Sequence, residues 1–392
     1  MLSQAEQCDV ELIDHAVAMQ KELEQRSAEI DQQRYLPQDL AEKLAALGFY
    51  RLIVPESLGG LGASPETFCK VCESLAMANG SAAWCVFIGS TSQYLFGALP
   101  PSQLSLMLEN PDVITSGVFA DSGTAVQETQ GDVDGYRING HWRWGSGCRN
   151  AAWISGGIHE IDGQGERVER TSPLTRVFFL PEEIEILDNW HVSGLRGSGS
   201  SDYLAKDVWV PAERLAGDIE DTEHSKIPIY QFPKFALLGI PIGAICLGMA
   251  QASIAEVIRE SKLKTPQGSR RSLALRPSVH TDVAESETSL RAARTLFYEE
   301  IRESWSRAQL APGSLEDRRQ MRTSTVHAVN TAIKVIDSMY TLMGGTSVYE
   351  NSCLQQHFRD VHVASQHMMV GQPVMEMAGR VMLGLDDQGL GL

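Results

Sequence analysis

The spacing of apolar residues changes twice along this chain, and this constrains the fold more than any single motif. Up to about residue 112, and again from about residue 229 to the end, apolar residues recur at helical spacing. Between these regions, short alternating runs separated by glycines predict β-strands. Strands that are grouped, rather than interleaved with helices, indicate an α+β fold. We therefore expect an N-terminal α-helical domain (1–112), a central antiparallel β domain (113–228) and a C-terminal four-helix bundle (229–392).

Start and stop signals place helices in the first and last regions. Pro37 and Gly48 bracket one predicted helix, and Ser64 followed by Pro65 is a start signal for the next. The long amphipathic stretches of the last region run over 232–264, 278–309, 315–343 and 351–383. The most apolar segment, Ala236–Ala250, is too short to span a bilayer and predicts a buried core helix.

The central region carries one strong turn signal. Asn139-Gly140 lies between alternating segments within Tyr136–Trp144, which predicts a β-hairpin with its turn at this dipeptide. Trp142 and Trp144 stand two residues apart, so both are expected to point to the same face of a strand. Packing in the core of the β domain is one explanation for the two tryptophans, and contact with a ligand is the other.

Charge and cysteine usage limit the possible partners. The formal net charge of −17 argues against nucleic acid or an anionic membrane surface, since both need concentrated Lys and Arg. Residues 1–30 are polar and acidic, so no secretory signal is expected. Seven scattered cysteines, an odd number, favour reduced thiols in a cytoplasm. Cys69 and Cys72 form a lone CxxC beside apolar helical residues, where we expect core packing and no metal site.

The segment Gly194–Ser201 is rich in glycine and raises the question of a phosphate-binding loop. Its glycines fall as GxxGxG rather than GxGxxG, and a predicted strand rather than a helix follows. A nucleotide loop needs a helix N-terminus after its glycines, so we expect no such site here. No nicotinamide-binding motif appears elsewhere in the chain.

Several segments, in the order in which they occur, resemble the acyl-CoA dehydrogenase superfamily across essentially the whole chain. They are Gly48–Gly60, Tyr136–Cys148, Gly194–Asp202 with Asp207–Pro211, and Gly344-Gly345 with Arg359-Asp360. The superfamily has the same helical, β, helical order, and Tyr136–Cys148 resembles its flavin-facing hairpin. The resemblance implies a flavin protein with an acyl-CoA dehydrogenase-like fold.

The residues that follow Asp360 depart from the dehydrogenases. Counting forward from Asp360, the catalytic glutamate of many dehydrogenases would fall on Met368, and the tyrosine before it on His367. A thioether cannot accept a proton at neutral pH, so that base is lost. Trp144–Cys148 and Ala364–His367 instead resemble the oxygenase components of two-component (group D) flavin monooxygenases.

This second resemblance implies a reaction. The chain would receive reduced FMN or FAD from a separate flavin reductase, activate O2 as a flavin C4a-hydroperoxide and oxygenate a small aromatic or heteroaromatic compound. His367 and Ser146 are the expected catalytic residues. His367, with an ordinary pKa of about 6.5, would donate to the peroxide or accept a proton from a substrate hydroxyl. Ser146 would meet the N5/O4 edge of the flavin. Without the resemblance, His367 could be an ordinary core or surface histidine, and Ser146 could belong to a turn.

The resemblance also implies binding residues. The expected cofactor contacts are Phe119, Trp142, Arg143, Trp144, Gly145, Ser146, Arg271, Gly345 and Thr346. Phe119 opens the segment Phe119–Gly123, which stands where dehydrogenases carry a Thr-Glu-Pro-Gly flavin loop. Arg271, Gly345 and Thr346 would meet the cofactor's tail, in part from a neighbouring subunit of a homotetramer; a solvated basic loop is the alternative for Arg271. The aromatic residues Trp84, Tyr94 and Trp190 are expected at the substrate cavity.

Two other functions fit the same sequence. An acyl-CoA dehydrogenase with a relocated base would bleach bound oxidised flavin when given an acyl-CoA, without any reductase. A non-catalytic or flavin-storing scaffold that keeps the fold as an oligomer would form no oxygenated product.

Overall fold

The computed structural model describes residues 4–169 and 175–385, with side chains from residue 7 onward. The first region contains the helices α1 Gln4–Gln25, α2 Ser27–Gln33, α3 Gln38–Ala46, α4 Pro65–Ala78, α5 Gly80–Gln93 and α6 Pro101–Met107. The start signal at Ser64 is confirmed, because its hydroxyl accepts from the Thr67 N–H at 3.1 Å and Pro65 takes the first helical position. Cys69 and Cys72 are fully buried on α4, as core packing predicts.

The central region forms one sheet among the described residues. Its strands are β1 Thr115–Gln130, β2 Val133–Gly145, β3 Trp153–Glu160, β4 Arg176–Phe179, β5 Glu185–Ile186, β6 Ser201–Pro211 and β7 Leu215–Ala216. They lie in the order β5-β6-β2-β1-β3-β4-β7. The expectation of a purely antiparallel domain is wrong at one pair, since β1 and β3 run parallel and make the sheet mixed.

The predicted hairpin turn at Asn139-Gly140 is also wrong. β2 continues through this dipeptide, and the turn that joins it to β1 lies at Gly131, whose φ is +61°. Gly140 is needed for packing, because a Cβ there would lie 2.4 Å from the Trp142 ring. The glycine therefore serves a close approach of backbone and ring rather than a turn.

A bulge near the end of β2 separates the two tryptophans. The pairing of β2 with β6 shifts between Trp142 and Gly145, and Trp144 has a φ of +64°. As a result Trp142 is fully buried, whereas Trp144 is 67% exposed. The expectation that both point to one face is wrong, since the extra residue breaks the alternation of the strand.

The last region begins with α7 Pro228–Gln231 and three long helices, α8 Lys234–Leu263, α9 Pro277–Ala308 and α10 Leu315–Met343. The predicted limits of the long helices are confirmed to within two residues. The stretch 351–383, expected as one helix, is instead α11 Cys353–Ala364, a 3₁₀ turn Met368–Val370 and α12 Gln372–Met382. The backbone becomes extended at His367, with φ −66° and ψ 133°, and this ends the helical path.

Helix α8 forms the centre of this region. Among the described helices it alone is long and apolar enough to cross a membrane, but most of its apolar stretch is buried inside the fold. α8 packs on α4 and α10, and both α8 and α10 contact the turn Met368–Val370. α5 contacts β1 and the loop before β6, so α5, the end of β2, this loop and the segment after α11 meet at one corner.

Candidate functional site

Ser146 lies just after β2, buried at the corner where these elements meet. Its hydroxyl oxygen accepts from the Trp84 Nε1–H at 3.1 Å and lies 2.6 Å from the Ser200 hydroxyl. Its backbone carbonyl accepts from the Ser116 hydroxyl at 2.7 Å. Ser146 is therefore fixed from α5, from β1 and from the loop before β6.

Two further hydroxyls continue from Ser200 into the loop before β6. The Ser198 and Ser200 hydroxyls are 2.7 Å apart, and Ser198 donates to the Leu195 carbonyl at 2.7 Å. The loop has left-handed backbone at Leu195, with φ +49°, and at Gly199, with φ +55°. A left-handed leucine is strained by about 1 kcal/mol, so the surrounding contacts must hold this loop in place.

Asp360 provides one of those contacts. Its Oδ1 accepts from the Leu195 N–H at 2.6 Å, and burial raises the pKa of this carboxyl to about 7. A Cβ at Gly194 would lie 2.2 Å from the Arg359 carbonyl oxygen, so the loop lies directly against α11. Trp190, expected at the substrate cavity, is half-buried and donates from Nε1 to the Leu195 carbonyl at 3.2 Å. In this structure Trp190 thus supports the loop.

His367 lies on the other side of Trp84. The two ring centroids are 5.9 Å apart in an edge-to-face arrangement, and His367 Nδ1 accepts from the Met369 N–H at 3.3 Å. Burial, and then the positive charge of Arg322, lower the imidazole pKa to about 4. His367 is therefore neutral at pH 7, and because Nδ1 accepts, its proton is assigned to Nε2.

Arg322 is a buried cation next to this histidine. It stands on α10, is 3% exposed, and donates from Nη2 to the Met369 carbonyl at 3.4 Å. Burial lowers its pKa to about 10, which leaves the guanidinium charged at neutral pH. This fixed positive charge adds to the effect of burial in lowering the pKa of the His367 imidazole.

Trp144 projects from the same end of β2. Its left-handed backbone is held by Asp202, whose Oδ1 accepts from the Trp144 N–H at 3.2 Å. The other carboxylate oxygen of Asp202 lies 2.8 Å from His141 Nε2. A left-handed, largely exposed tryptophan is costly, and such strain is concentrated at functional sites. Gly145 beside it has no room for a side chain, since a Cβ would lie 2.6 Å from the Tyr203 ring.

The remaining cofactor candidates of the β domain are less clearly placed. Trp142 stacks on Tyr203 with centroids 5.3 Å apart and donates from Nε1 to the Gly157 carbonyl at 2.8 Å, so core packing describes its position. Phe119 is half-buried beneath the Arg176 guanidinium, 4.7 Å from its ring centroid. Arg143 is exposed.

Tyr94 lies apart from the group formed by Trp84, Ser146 and His367. It stands ten residues beyond Trp84 along the chain, at the end of α5, where it is buried against Tyr230 with ring centroids 4.9 Å apart. Ten helical residues span about 15 Å, which separates Tyr94 from the His367 corner.

The candidates for the cofactor's tail form a second, exposed group. Lys264 donates to the Met343 carbonyl and, at 2.9 Å, to the Thr346 hydroxyl, which ties the basic loop to the turn that holds Gly345. Arg271 is exposed on the same loop. A cavity of about 480 Å³ lies next to this group, lined by Leu273, Arg276, Ser278, Val279, Asp282, Asp337, Ser338, Thr341 and Leu342.

The corner around Ser146 fits a flavin ring. Trp144 offers an exposed aromatic face beside the buried Ser146 hydroxyl, and the glycine between them lets the Tyr203 ring pack against the backbone at this point. The Ser146 oxygen, with two lone pairs, receives one described N–H, from Trp84, so it can accept a second hydrogen bond. Trp84 and His367 border the same place, so four residues expected from the sequence, Trp84, Trp144, Ser146 and His367, come together.

Ser198, Ser200 and Arg322 are not among the residues expected from the sequence, and Asp360 was expected there only as part of a family motif. Ser198 and Ser200 lie inside the glycine-rich segment, which was considered as a phosphate loop and as a superfamily segment, but not for its hydroxyls. Alternating glycine and serine before a strand could have indicated buried hydroxyls at a tight bend. Arg322 follows Met321 on an otherwise small and apolar helix face, and a cation in such a position is a sign of a buried charge.

Comparison with known proteins agrees with this architecture. Residues 14–97 match the family model described as "Acyl-CoA dehydrogenase, N-terminal domain", and residues 240–372 match "Acyl-CoA dehydrogenase, C-terminal domain". The indole-3-acetate monooxygenase of Pseudomonas putida is 30% identical over 362 residues, which cover 92% of this chain and 90% of that protein. The alignment thus covers nearly the whole length of both proteins.

Two solved structures have the same fold. XiaF from Streptomyces sp., in complex with FADH2 and glycerol, is similar with a TM-score of 0.89 and 23% identity, over 99% of both chains. The HsaA monooxygenase from M. tuberculosis is similar with a TM-score of 0.84 and 25% identity, over 96% of this chain and 98% of that chain. The helical, β, helical order is therefore shared from end to end.

Proposed function

We propose that this chain, which belongs to the acyl-CoA dehydrogenase superfamily and within it to the oxygenase components of flavin-dependent monooxygenases, oxygenates a small aromatic compound with reduced flavin and O2. The observation that carries the proposal is the cluster of Ser146 and Trp84, both buried, with the half-buried His367. The Ser146 hydroxyl, a hydrogen-bond acceptor, and the neutral His367 imidazole both contact the Trp84 indole ring.

Each member of the cluster has a role that follows from its geometry. A bound reduced flavin supplies the electrons that activate O2 at its C4a carbon. Ser146 accepts a hydrogen bond at the N5 edge and fixes the ring's position. His367, neutral with its proton on Nε2, donates a hydrogen bond toward the oxygen being transferred. An imidazole with a pKa of about 4 is a weak base, so donation is favoured over the proton acceptance expected as an alternative.

The surroundings of the cluster support oxygen chemistry. The buried ring of Trp84, the partly shielded His367 and the packed loop before β6 limit the access of water, which would otherwise release hydrogen peroxide without product. Trp144 forms one wall against the flavin ring. An aromatic substrate agrees with the relative from Pseudomonas putida, which is named for indole-3-acetate.

The proposal extends to the partners. A separate reductase delivers reduced FMN or FAD, and the tail of that cofactor lies near Arg271, Gly345 and Thr346. We propose a homotetramer, as the resemblance to the superfamily implies, and Val348 and Tyr349, both at least 60% exposed next to that turn, are available for a contact between subunits. All seven cysteines are free, which supports a reducing compartment such as the cytoplasm.

Acyl-CoA desaturation is not favoured. Met368, on which the dehydrogenase base would fall by counting forward from Asp360, is 79% exposed, and its thioether cannot accept a proton. The relative aligned along nearly its whole length is a monooxygenase.

A stopped-flow experiment tests the proposal. The chain is mixed anaerobically with reduced FMN or reduced FAD and then with O2, and flavin absorbance is followed. We expect the proposed C4a-hydroperoxide to appear before oxidised flavin. His367→Gln and Ser146→Ala should shorten its lifetime on the order of 100-fold, since positioned hydrogen bonds contribute at that scale.

His327→Gln is the matched control, because His327 is an exposed histidine on α10. It should leave the lifetime unchanged. Reoxidation of the flavin at the rate of free flavin in the unsubstituted protein would contradict the proposed function.

A further inference from the structure

The hydroxyls of Ser198 and Ser200 have no part in the reaction described so far, yet they form a hydrogen-bonded series that leads to Ser146. We propose that they fix the Ser146 proton so that its oxygen can only accept a hydrogen bond from a ligand. The chain would thereby select reduced over oxidised flavin. This inference rests on the proposed function in one respect, namely that a flavin binds at Ser146.

The direction of the hydrogen bonds follows from counting protons. Three short oxygen–oxygen contacts join Ser146 to Ser200, Ser200 to Ser198, and Ser198 to the Leu195 carbonyl, at 2.6, 2.7 and 2.7 Å. Three hydroxyl protons are present, and the carbonyl at the end of the series contributes none. Each contact needs one proton, so each serine must donate toward Leu195.

The Ser146 oxygen is consequently left as an acceptor. Its own proton points to Ser200, and one of its two lone pairs receives the Trp84 Nε1–H at 3.1 Å. An indole nitrogen can only donate, so Trp84 cannot take the proton of Ser146. The capacity that Ser146 retains for a ligand is one lone pair.

The hydroxyl series is too well enclosed to turn around. Ser146, Ser198 and Ser200 are each between 1% and 4% exposed. Reversing the series would bring the Ser198 oxygen against the Leu195 carbonyl oxygen at 2.7 Å with no proton between them. The Leu195 carbonyl also accepts from the Trp190 Nε1–H at 3.2 Å and from the Ser198 N–H at 3.0 Å, and these two bonds hold it in place.

The two redox states of a flavin differ at the atom that Ser146 meets. Reduced flavin carries an N5–H, which donates, whereas oxidised flavin has only a lone pair at N5. A hydrogen-bond acceptor at Ser146 is complementary to the N5–H of reduced flavin. With oxidised flavin, the lone pair of Ser146 would face the lone pair of N5, which is unfavourable. Specificity arises here from the mismatch with the wrong ligand as much as from the match with the right one.

Paired binding measurements test the inference. Dissociation constants of the full-length chain are measured for oxidised FMN and, anaerobically, for reduced FMN, and again for the two states of FAD. The unsubstituted chain should bind the reduced state more tightly. Ser200→Ala frees the Ser146 proton to donate to N5 of oxidised flavin, so the ratio of the two constants should fall about 10-fold, as expected for a buried hydrogen bond gained or lost.

Two further variants separate proton direction from simple loss of packing. Ser116→Ala removes a neighbouring buried hydroxyl that binds the Ser146 carbonyl rather than its hydroxyl, and it should leave the ratio unchanged. Ser200→Thr keeps a hydroxyl and should retain the ratio of the unsubstituted chain. Because both constants come from the same preparation, a partly unfolded fraction cancels in the ratio.

The outcomes distinguish the two claims. If Ser200→Ala weakens both redox states equally, as Ser116→Ala would, the serines are structural and the inference fails while the proposed function stands. Equal affinity of the unsubstituted chain for both redox states likewise overturns the inference alone. If neither FMN nor FAD binds in either state, the proposed function fails and the inference with it.

Discussion

The hydroxyl series at Ser146 and the carboxylate of Glu73 are both buried, but only the carboxylate, which pairs with the half-exposed Arg294, carries formal charge. Glu73, on α4, accepts from Arg294 Nε at 2.7 Å and from the Tyr298 hydroxyl, both on α9. Charges in a low-dielectric interior are held firmly but cost several kcal/mol each to desolvate. The ion pair joins two helices away from the proposed site.

Neutral hydroxyls suit the site for a different reason. A hydroxyl both donates and accepts, so a series of serines has a direction that a ligand can recognise without a strong local field. Beside Ser146, the His367 imidazole is also neutral at pH 7. The contrast suggests that charge stabilises the helical region, whereas proton direction determines what binds at the corner.

The largest effect on stability is expected at the ion pair. Glu73→Ala leaves the half-exposed Arg294 and the buried Tyr298 hydroxyl without their shared acceptor, and should lower the free energy of unfolding by about 3 kcal/mol. Ser200→Ala should cost about 1 kcal/mol, since it removes neutral hydrogen bonds. Urea unfolding of both variants measures the difference.

Glu299→Ala is the surface control for this comparison. Glu299 pairs with Arg302 across one helical turn and is 56% exposed, so its loss should cost no more than about 0.5 kcal/mol. Equal destabilisation by Glu73→Ala and Ser200→Ala would remove the distinction between charged and neutral burial.

Asp360 provides a pH-dependent test, because it is the ionisable group that anchors the neutral series. Its pKa is about 7 in the folded chain, above the ordinary value near 4, so the folded state binds the proton more tightly than the unfolded state. The stability this contributes is present below about pH 4 and is lost as the pH rises through 7. Asp360→Asn has no such loss and keeps an oxygen to accept the Leu195 N–H.

The asparagine variant should therefore match the unsubstituted chain near pH 4 and gain on it with rising pH. Between pH 5 and pH 8 this advantage in the free energy of unfolding should grow by about 2.5 kcal/mol. Urea unfolding at pH 5 and pH 8 measures this, and a difference that does not change with pH would mean that Asp360 is not protonated in the fold.

Local sequence signals predicted much of the fold. They failed where contacts between residues far apart in the sequence determine a turn or the pairing of strands. The limits of α8, α9 and α10 follow from periodicity and nearby caps, which act within a few residues. The turn signal at Asn139-Gly140 was overridden because Gly140 makes room for the Trp142 ring, a contact that exists only in the folded sheet. The parallel pairing of β1 with β3 is likewise set by chain topology rather than by strand composition.

The candidate site shows the same limit. Resemblance identified Ser146 and His367, and the structure brings them to either side of Trp84. The resemblance did not identify the backbone break at His367 or the bulge at Trp144, because both depend on how neighbouring elements pack. The direction of the serine hydroxyls depends on a carbonyl, at Leu195, whose position no sequence motif specifies.

Arg322 offers a smaller test of the neutral corner. Arg322→Met should raise the His367 pKa from about 4, because it removes the nearby positive charge, although burial, the larger cause, remains. The imidazole stays neutral at pH 7. Because its pKa in the folded state comes closer to the unfolded value, the variant should lose less stability through His367 when the pH is lowered. The stability that the neutral His367 contributes is present above about pH 6.5, and it is lost as the pH falls toward the pKa of His367 in the folded chain.

An NMR titration of the His367 ring reports this shift directly, and His327→Gln removes one exposed histidine from the spectra. If the His367 pKa does not move, the charge of Arg322 does not reach the imidazole.

The smallest expected effect concerns strain at Trp144. Trp144→Gly relieves a left-handed backbone, as does Asp207→Gly at an exposed residue with φ +57°, and each should raise the free energy of unfolding by about 1 kcal/mol or less. Only Trp144→Gly removes a proposed wall of the flavin site, so it alone should weaken the binding of reduced FMN. Thermal unfolding and flavin titration of the two variants measure both effects. A loss of affinity in both variants would assign the effect to backbone freedom, whereas a loss confined to Trp144→Gly would show that the strain is retained because the indole face is needed there.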